Sequence, residues 1–293
     1  MDSRKNVAGY LAGITAGVSY GFNPLFAKQL LVDHIPVYTM LFYRYVIAAA
    51  IMLLWMLIKR ENLRMERGQT GLVILLGLIF ACSSLGLFES YNYIPAGLAT
   101  TIVYLYPVFT ALAMIFLHQK PSLRTWGSII TTLLGVVLIC MPTGGMVIKI
   151  SGVLLAVSSA LCYSVYLVIV NHSARLKTLS AHCLTLYGLA AGAVLFFIIT
   201  TLKGQPIIGA IKGAEEWRSI IGLSIIPTTI SMLSLALSTR LIGPTKTAVL
   251  GVFEPITAIM IGLLVFGENL TASIIAGVCI CVGAVTFMVT DKN

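Results

Sequence analysis

Charge is what this sequence lacks most. Only 10% of its 293 residues are Asp, Glu, Lys or Arg, against about a quarter in an ordinary soluble domain. Apolar residues make up 58%, and mean hydropathy is +0.99. Too few charges remain to give a folded chain a polar skin. That excludes a cytosolic enzyme, a secreted disulfide scaffold and a disordered protein. Reactive constellations are scarce too. The four histidines, His34, His118, His172 and His182, all fall near the ends of apolar runs. They support neither a proton relay nor a metal site, and no Ser-His-Asp, HExxH or phosphate-loop pattern is present. The six cysteines, Cys82, Cys140, Cys162, Cys183, Cys279 and Cys281, have no zinc or redox spacing. They read as small packable core residues. No cofactor is implied.

What is present is hydrophobic length. Ten apolar segments can be read, at roughly 7–32, 36–58, 69–91, 94–117, 122–142, 150–171, 179–201, 217–239, 243–266 and 270–290. A spanning helix needs about 20 apolar residues, and these runs supply that length. None alternates every second residue, as a membrane β-barrel strand would. The expected fold is an all-α integral membrane protein of ten transmembrane helices. Arg4 and Lys5 precede a long apolar segment without a cleavage pattern, so the first helix is expected to be retained.

The net charge of +9 does not point to nucleic acid, because the basic residues sit at segment ends rather than in one patch. Their asymmetry sets a topology. With the N-terminus inside, thirteen lysines and arginines lie at inner ends and five at outer ends, leaving Arg44 within a helix. Both termini are therefore expected in the cytoplasm. Short loops and the lack of organelle signals fit a bacterial inner membrane. Oligomeric state is not legible.

The two halves resemble each other. An offset of 148 places Pro107 on Pro255, Leu85 on Leu233, Ser90 on Ser238 and Gly135 on Gly283. Slightly smaller offsets place Tyr20 on Tyr163 and Tyr43 on Tyr187. The halves divide as 1–146, helices one to five, and 147–293, helices six to ten. Five is odd, so the second half enters the membrane in the opposite sense. Inverted repeats of this kind build secondary transporters, with a site between the halves near the midplane.

Particular residues also resemble a known family. The ninth segment reads Phe253-Glu254-Pro255-Ile256 through to Phe266-Gly267-Glu268. The fourth reads Tyr104-Leu105-Tyr106-Pro107 through to Leu117-His118-Gln119, keeping the proline but not the terminal Gly-Glu. Gly21-Phe22-Asn23-Pro24 and the pair Pro36 and Arg44 are similar to its first and second helices. The pattern resembles the EamA-like branch of the drug/metabolite transporter superfamily, over nearly the whole chain. The resemblance implies a ten-helix carrier of small organic solutes, often an exporter of amino acids or related metabolites. It also implies a central cavity lined by helices one, three, four, six, eight and nine. A scaffold or receptor would have no need of a symmetric site, and a multidrug carrier of the same fold is the alternative substrate class.

Seven residues are candidates for substrate binding or coupling. Glu254 falls near the midplane, where a carboxylate is costly unless paired, protonated or hydrated. It could hold a substrate amine or a coupling proton, or bond within the protein to steady the kink at Pro255. Arg44 could pair with Glu89 or hold a substrate carboxylate in its planar fork. Asn23 could offer its amide to a substrate or cap backbone freed at Pro24. Tyr20, Tyr104, Tyr163 and Tyr166 lie deep, where hydroxyls need partners. Tyr104 and Tyr106 are two residues apart, so only one can face a cavity. Pro24, Pro107 and Pro255 are the hinge candidates. Gly9, Gly13, Gly17 and Gly21 recur every four residues and predict a close-packed helix face.

Overall fold

The computed structural model describes residues 2–66, 68–116, 123–140, 148–176, 178–242, 247, 250–268 and 271–289. Among these the regular structure is entirely helical. The first segment is two helices, α1 (Asp2–Gly21) and α2 (Asn23–Val32). Then come α3 (Val37–Ile58) and α4 (Thr70–Ser90). The fourth segment is again split, into α5 (Ala96–Val103) and α6 (Tyr106–Phe116), followed by α7 (Leu123–Cys140). The second half holds α8 (Ile150–His172), α9 (Ala181–Leu202), α10 (Ala214–Ser224), α11 (Ser231–Ile242), α12 (Phe253–Phe266) and α13 (Ala272–Val289). A wide π turn, Ile225–Ile230, joins α10 to α11 as one segment.

Among the described residues six stretches are long and apolar enough to cross a bilayer: Val37–Ile58, Thr70–Ser90, Ala96–Ala113, Ile150–Val170, Ala181–Leu202 and Ala214–Thr239. The outer surface agrees with that reading. Leu53, Leu54 and Leu57 on α3, Leu133 and Leu134 on α7, and Leu264 on α12 all stand exposed. An apolar belt of this extent is unsuited to water and suited to lipid. Two cysteines depart from the core reading: Cys82 and Cys279 lie on this surface, while Cys183 and Cys281 are buried.

The inverted repeat appears as matched hydrogen bonds. Tyr43 donates to the Ile207 carbonyl at 2.9 Å, and Tyr187 donates to the Leu63 carbonyl at 2.9 Å. One offset, 144, relates both donors and both acceptors. Ser83 on α4 donates to Ser159 O on α8 at 2.9 Å, and Ser231 on α11 donates to Ala16 O on α1 at 3.0 Å. Accordingly α4 packs on α8 as α11 packs on α1, while α3 packs on α9 and α7 on α13. The pairs sit at opposite ends of the bundle. Leu63 and Tyr187 mark the end whose loops are rich in lysine and arginine, here the basic end; Tyr43 and Ile207 mark the far end.

The glycine face of α1 packs against the other half, on α11 and α12. A Cβ at Gly9 would meet Leu241 and Ile242, and one at Gly21 would stand 2.7 Å from the Glu254 carbonyl. The α1–α12 contact therefore depends on the missing side chain. Gly21→Ala is expected to cost about 1–3 kcal/mol by overpacking. A lowered unfolding temperature in detergent checks it.

Candidate solute-binding site

Four segments, the first, fourth, eighth and ninth, break in the middle, each at a proline. A proline cannot donate to the carbonyl four residues before it, which leaves an orphan acceptor. The chain fills three of these locally. Pro24 orphans Tyr20 O, and the Asn23 side-chain amide donates to it at 2.9 Å. Pro227 orphans Leu223 O, and the Thr228 hydroxyl donates there at 2.9 Å. Pro255 orphans Gly251 O, and the Glu254 backbone N–H takes it at 3.0 Å. Pro107 lies one residue inside α6, just after the break at Tyr104 and Leu105. Pro24, Pro107 and Pro255 thus all stand at breaks, and Pro227 is a fourth that the sequence reading missed.

Glu254's part in this accounting separates two roles. The kink is closed by its main chain, not by its carboxylate. Among the described residues, no side chain hydrogen-bonds or ion-pairs with that carboxylate. The residue lies deep in the bundle yet is half-buried rather than buried, so it faces a cavity. Tyr20 on α1, Tyr104 and Tyr106 on the fourth segment and Tyr163 on α8 all lie within its electrostatic reach. Tyr20, Tyr106 and Tyr163 are half-buried, and among the described residues their hydroxyls make no hydrogen bond.

Arg44 is the second lone charge. It is 2% exposed. Its Nε donates to Thr228 Oγ1 at 2.8 Å, and its guanidinium lies 4.9 Å from the Phe88 ring centre. Glu89 does not pair with it. That carboxylate sits half-buried at the far end and accepts from Asn92 Nδ2 at 3.2 Å. Among the described residues no carboxylate neutralises Arg44. Tyr20 lies within electrostatic reach of both Arg44 and Glu254.

An aromatic row continues the site. The Tyr106 ring meets Tyr163 edge-on at 4.7 Å, Tyr163 stacks parallel with Tyr166 at 6.1 Å, and Tyr166 meets Phe80 at 5.5 Å. Tyr104 is placed differently from expectation. It is buried in a cluster with Ile129 of α7 and Val285 of α13, its hydroxyl near Thr286. Tyr106 takes the cavity position instead. The signal was in the repeat: Tyr106 precedes Pro107 as Glu254 precedes Pro255. Asn23 is divided between its two readings. Its Nδ2 caps the break, and its Oδ1 is buried without a hydrogen bond.

The sequence matches the EamA-like transporter family twice, over residues 7–141 and 150–290. The chain belongs to that family. This EamA-like protein is accordingly a multi-pass membrane transporter rather than an enzyme. It is 26% identical over 224 residues to the protein named "Uncharacterized transporter YdfC" from Bacillus subtilis, covering 75% of this chain and 72% of that one. It is 29% identical over 214 residues to "Uncharacterized transporter sll1319" from Synechocystis, covering 71% and 61%. A solved protein crystal structure superposes with a TM-score of 0.70 at 18% identity, over 96% of each chain. At that identity the likeness concerns the fold alone.

Proposed function

We propose that this EamA-like transporter carries small zwitterionic solutes of the amino-acid class across the membrane by alternating access. The observation that carries the reading is the pair of lone charges, Glu254 and Arg44, both within electrostatic reach of Tyr20. Two opposite charges held apart in a low-dielectric interior are costly. A solute bearing both opposite charges removes both costs at once. Its ammonium goes to Glu254, among the Tyr20, Tyr106 and Tyr163 hydroxyls. Its carboxylate goes to the terminal amino groups of Arg44, whose Nε is already held by Thr228. A fixed guanidinium plane suits bidentate contact with a carboxylate.

Access alternates when the two halves, 1–146 and 147–293, exchange tilts at the four breaks. The positive-inside count puts the basic end and both termini in the cytoplasm, of a bacterial inner membrane. Export is the proposed direction, as the resemblance to the EamA-like branch implies. The drive is the solute's own gradient, or protons carried on Glu254.

Counterflow of labelled amino acids in proteoliposomes tests this. Zwitterions are expected to exchange saturably, while the matched amine and the matched acid, each lacking one charge, exchange at least about tenfold more slowly. Exchange of organic cations without a carboxylate, with amino acids inert, would instead assign a multidrug carrier. Indifference to an imposed pH gradient would assign the drive to the solute alone.

A further inference from the structure

A guanidinium stays charged inside proteins, so Arg44 is a permanent cation. It is 2% exposed and sits inside α3. A buried cation needs a counter-charge close by. The side chains around it supply none. The Thr228 hydroxyl accepts from Nε at 2.8 Å and donates onward to the Leu223 carbonyl at 2.9 Å. It satisfies one N–H without bringing a charge. The Phe88 ring, 4.9 Å away, offers only its quadrupole. Tyr20, Tyr45 and Tyr91 lie within electrostatic reach, and tyrosine is uncharged near neutrality. Glu254 lies within reach of Tyr20 but not of Arg44.

These contacts fix the guanidinium and leave one edge of it unused. Thr228 holds the Nε edge, and Phe88 lies against the group. The two terminal nitrogens make no hydrogen bond among the described residues, and each keeps some accessible surface. The Tyr20 hydroxyl is also without a hydrogen bond among those residues. Tyr45 differs, because its hydroxyl is engaged with Ser84 at 2.7 Å. The groups left over are therefore N–H donors and one hydroxyl that can donate. Unmatched donors beside an unmatched positive charge call for an acceptor bearing one negative charge. So little of Arg44 is open that the acceptor must be small. A divalent anion would leave its second charge uncompensated in the interior. The guanidinium is itself weakly hydrated, which favours a partner that sheds water easily.

We propose that Arg44 and Tyr20 form a binding site for one small monovalent inorganic anion of the chloride type. The anion lies against the terminal nitrogens of Arg44, with the Tyr20 O–H as a further donor. It supplies the counter-charge that the chain itself does not. One consequence rests on the zwitterion reading above: the solute's carboxylate uses the same edge of Arg44, so chloride competes with the solute.

Thermal unfolding in detergent, in sodium chloride against equal sodium gluconate, tests the site. Gluconate carries the same charge and is too large to enter. Wild type is expected to melt at a higher temperature in chloride, with a rise that saturates as one site does. Arg44→Gln is expected to lose the difference. Tyr20→Phe is expected to keep it, with half-saturation moved about threefold or more to higher chloride. Equal melting of wild type in the two salts, or a chloride effect that survives Arg44→Gln, overturns the site. If Arg44→Gln does not fold, wild-type crystals grown in bromide decide. An anomalous peak beside the guanidinium keeps the site, and its absence there overturns it. Counterflow in the two salts then reads the competition. At chloride of about twice its own dissociation constant, the solute's half-saturation concentration is expected to rise about threefold, with the maximal rate unchanged. An unchanged half-saturation concentration overturns the competition. If wild type exchanges no amino acid in either salt, the zwitterion reading fails, and the melting and bromide results still judge the anion site.

Discussion

Glu254→Gln is expected to reduce zwitterion exchange by about 100-fold or more without lowering the unfolding temperature. The substitution keeps volume and hydrogen-bonding capacity and removes only the charge. Loss of a charge-assisted contact to an ammonium costs about 1.5–3 kcal/mol, and the ammonium itself is then left unpaired in the interior. Two or more factors of ten follow. The stability half of the expectation has the opposite sign from that of a structural carboxylate. A carboxylate holding the kink together would destabilise the fold when neutralised. Here the orphan Gly251 carbonyl is taken by the Glu254 main-chain N–H, which glutamine retains. The side chain has no hydrogen bond or ion pair among the described residues, so neutralising it removes a desolvation cost. Initial counterflow rates and thermal unfolding of the same preparation read both halves. A variant that transports normally, or one that melts early, would return Glu254 to a structural role.

The sequence made the frame legible because the physics that sets it is local. Apolar length, basic ends and prolines mark spans, topology and breaks without any tertiary information. The repeat was visible in Tyr43 and Tyr187, and the structure gives the reason. Each hydroxyl reaches a loop carbonyl of the opposite half, an interaction needed once at each end of the bundle. What the sequence did not show depends on which face a broken helix presents. Regular phase cannot be carried through the break at Tyr104 and Leu105, so the choice between Tyr104 and Tyr106 was lost there. Arg44 was left open between two partners for a related reason. Glu89 lies at a plausible depth, but depth says nothing about azimuth. The partner that does face Arg44, Thr228, is presented by a π turn whose extra residue rotates the helix. Pro227 followed by Thr228 and Thr229 is the signal that could have marked it, since hydroxyls can take carbonyls that a proline abandons.

Glu268→Ala is expected to open the far end. Lys28 on α2 donates to Glu268 Oε1 at 2.5 Å, and the same oxygen accepts from the Ala96 N–H, at the start of α5, at 3.1 Å. The Lys28 ammonium also lies 4.7 Å from the Phe266 ring centre. One carboxylate therefore ties the first, fourth and ninth segments together, three of the four that break. It is also well sited at a helix N-terminus, where orphan N–H groups favour negative charge. An exposed pair would contribute little. The Glu268 side chain is only 9% exposed and that of Lys28 25%, so this pair lies between surface and interior. Losing both contacts is assigned about 2 kcal/mol, within the range for truncating one partner of a partly desolvated charge pair. That shifts a two-state equilibrium about 30-fold toward the state open at the far end. By sequence the 148 offset places Lys120 on Glu268, so the first half carries no carboxylate at the matching position. The bias is therefore one-sided. It should appear as faster modification of Thr257→Cys by an impermeant thiol reagent from the far side, with slower net transport and unchanged solute selectivity. Reversing the pair, Lys28→Glu with Glu268→Lys, restores the ion pair but not the Ala96 contact, so it should recover part of the closure. Full recovery would assign the latch to the ion pair alone. No change in labelling for Glu268→Ala would mean that the broken segments, rather than their tie, hold the far end shut.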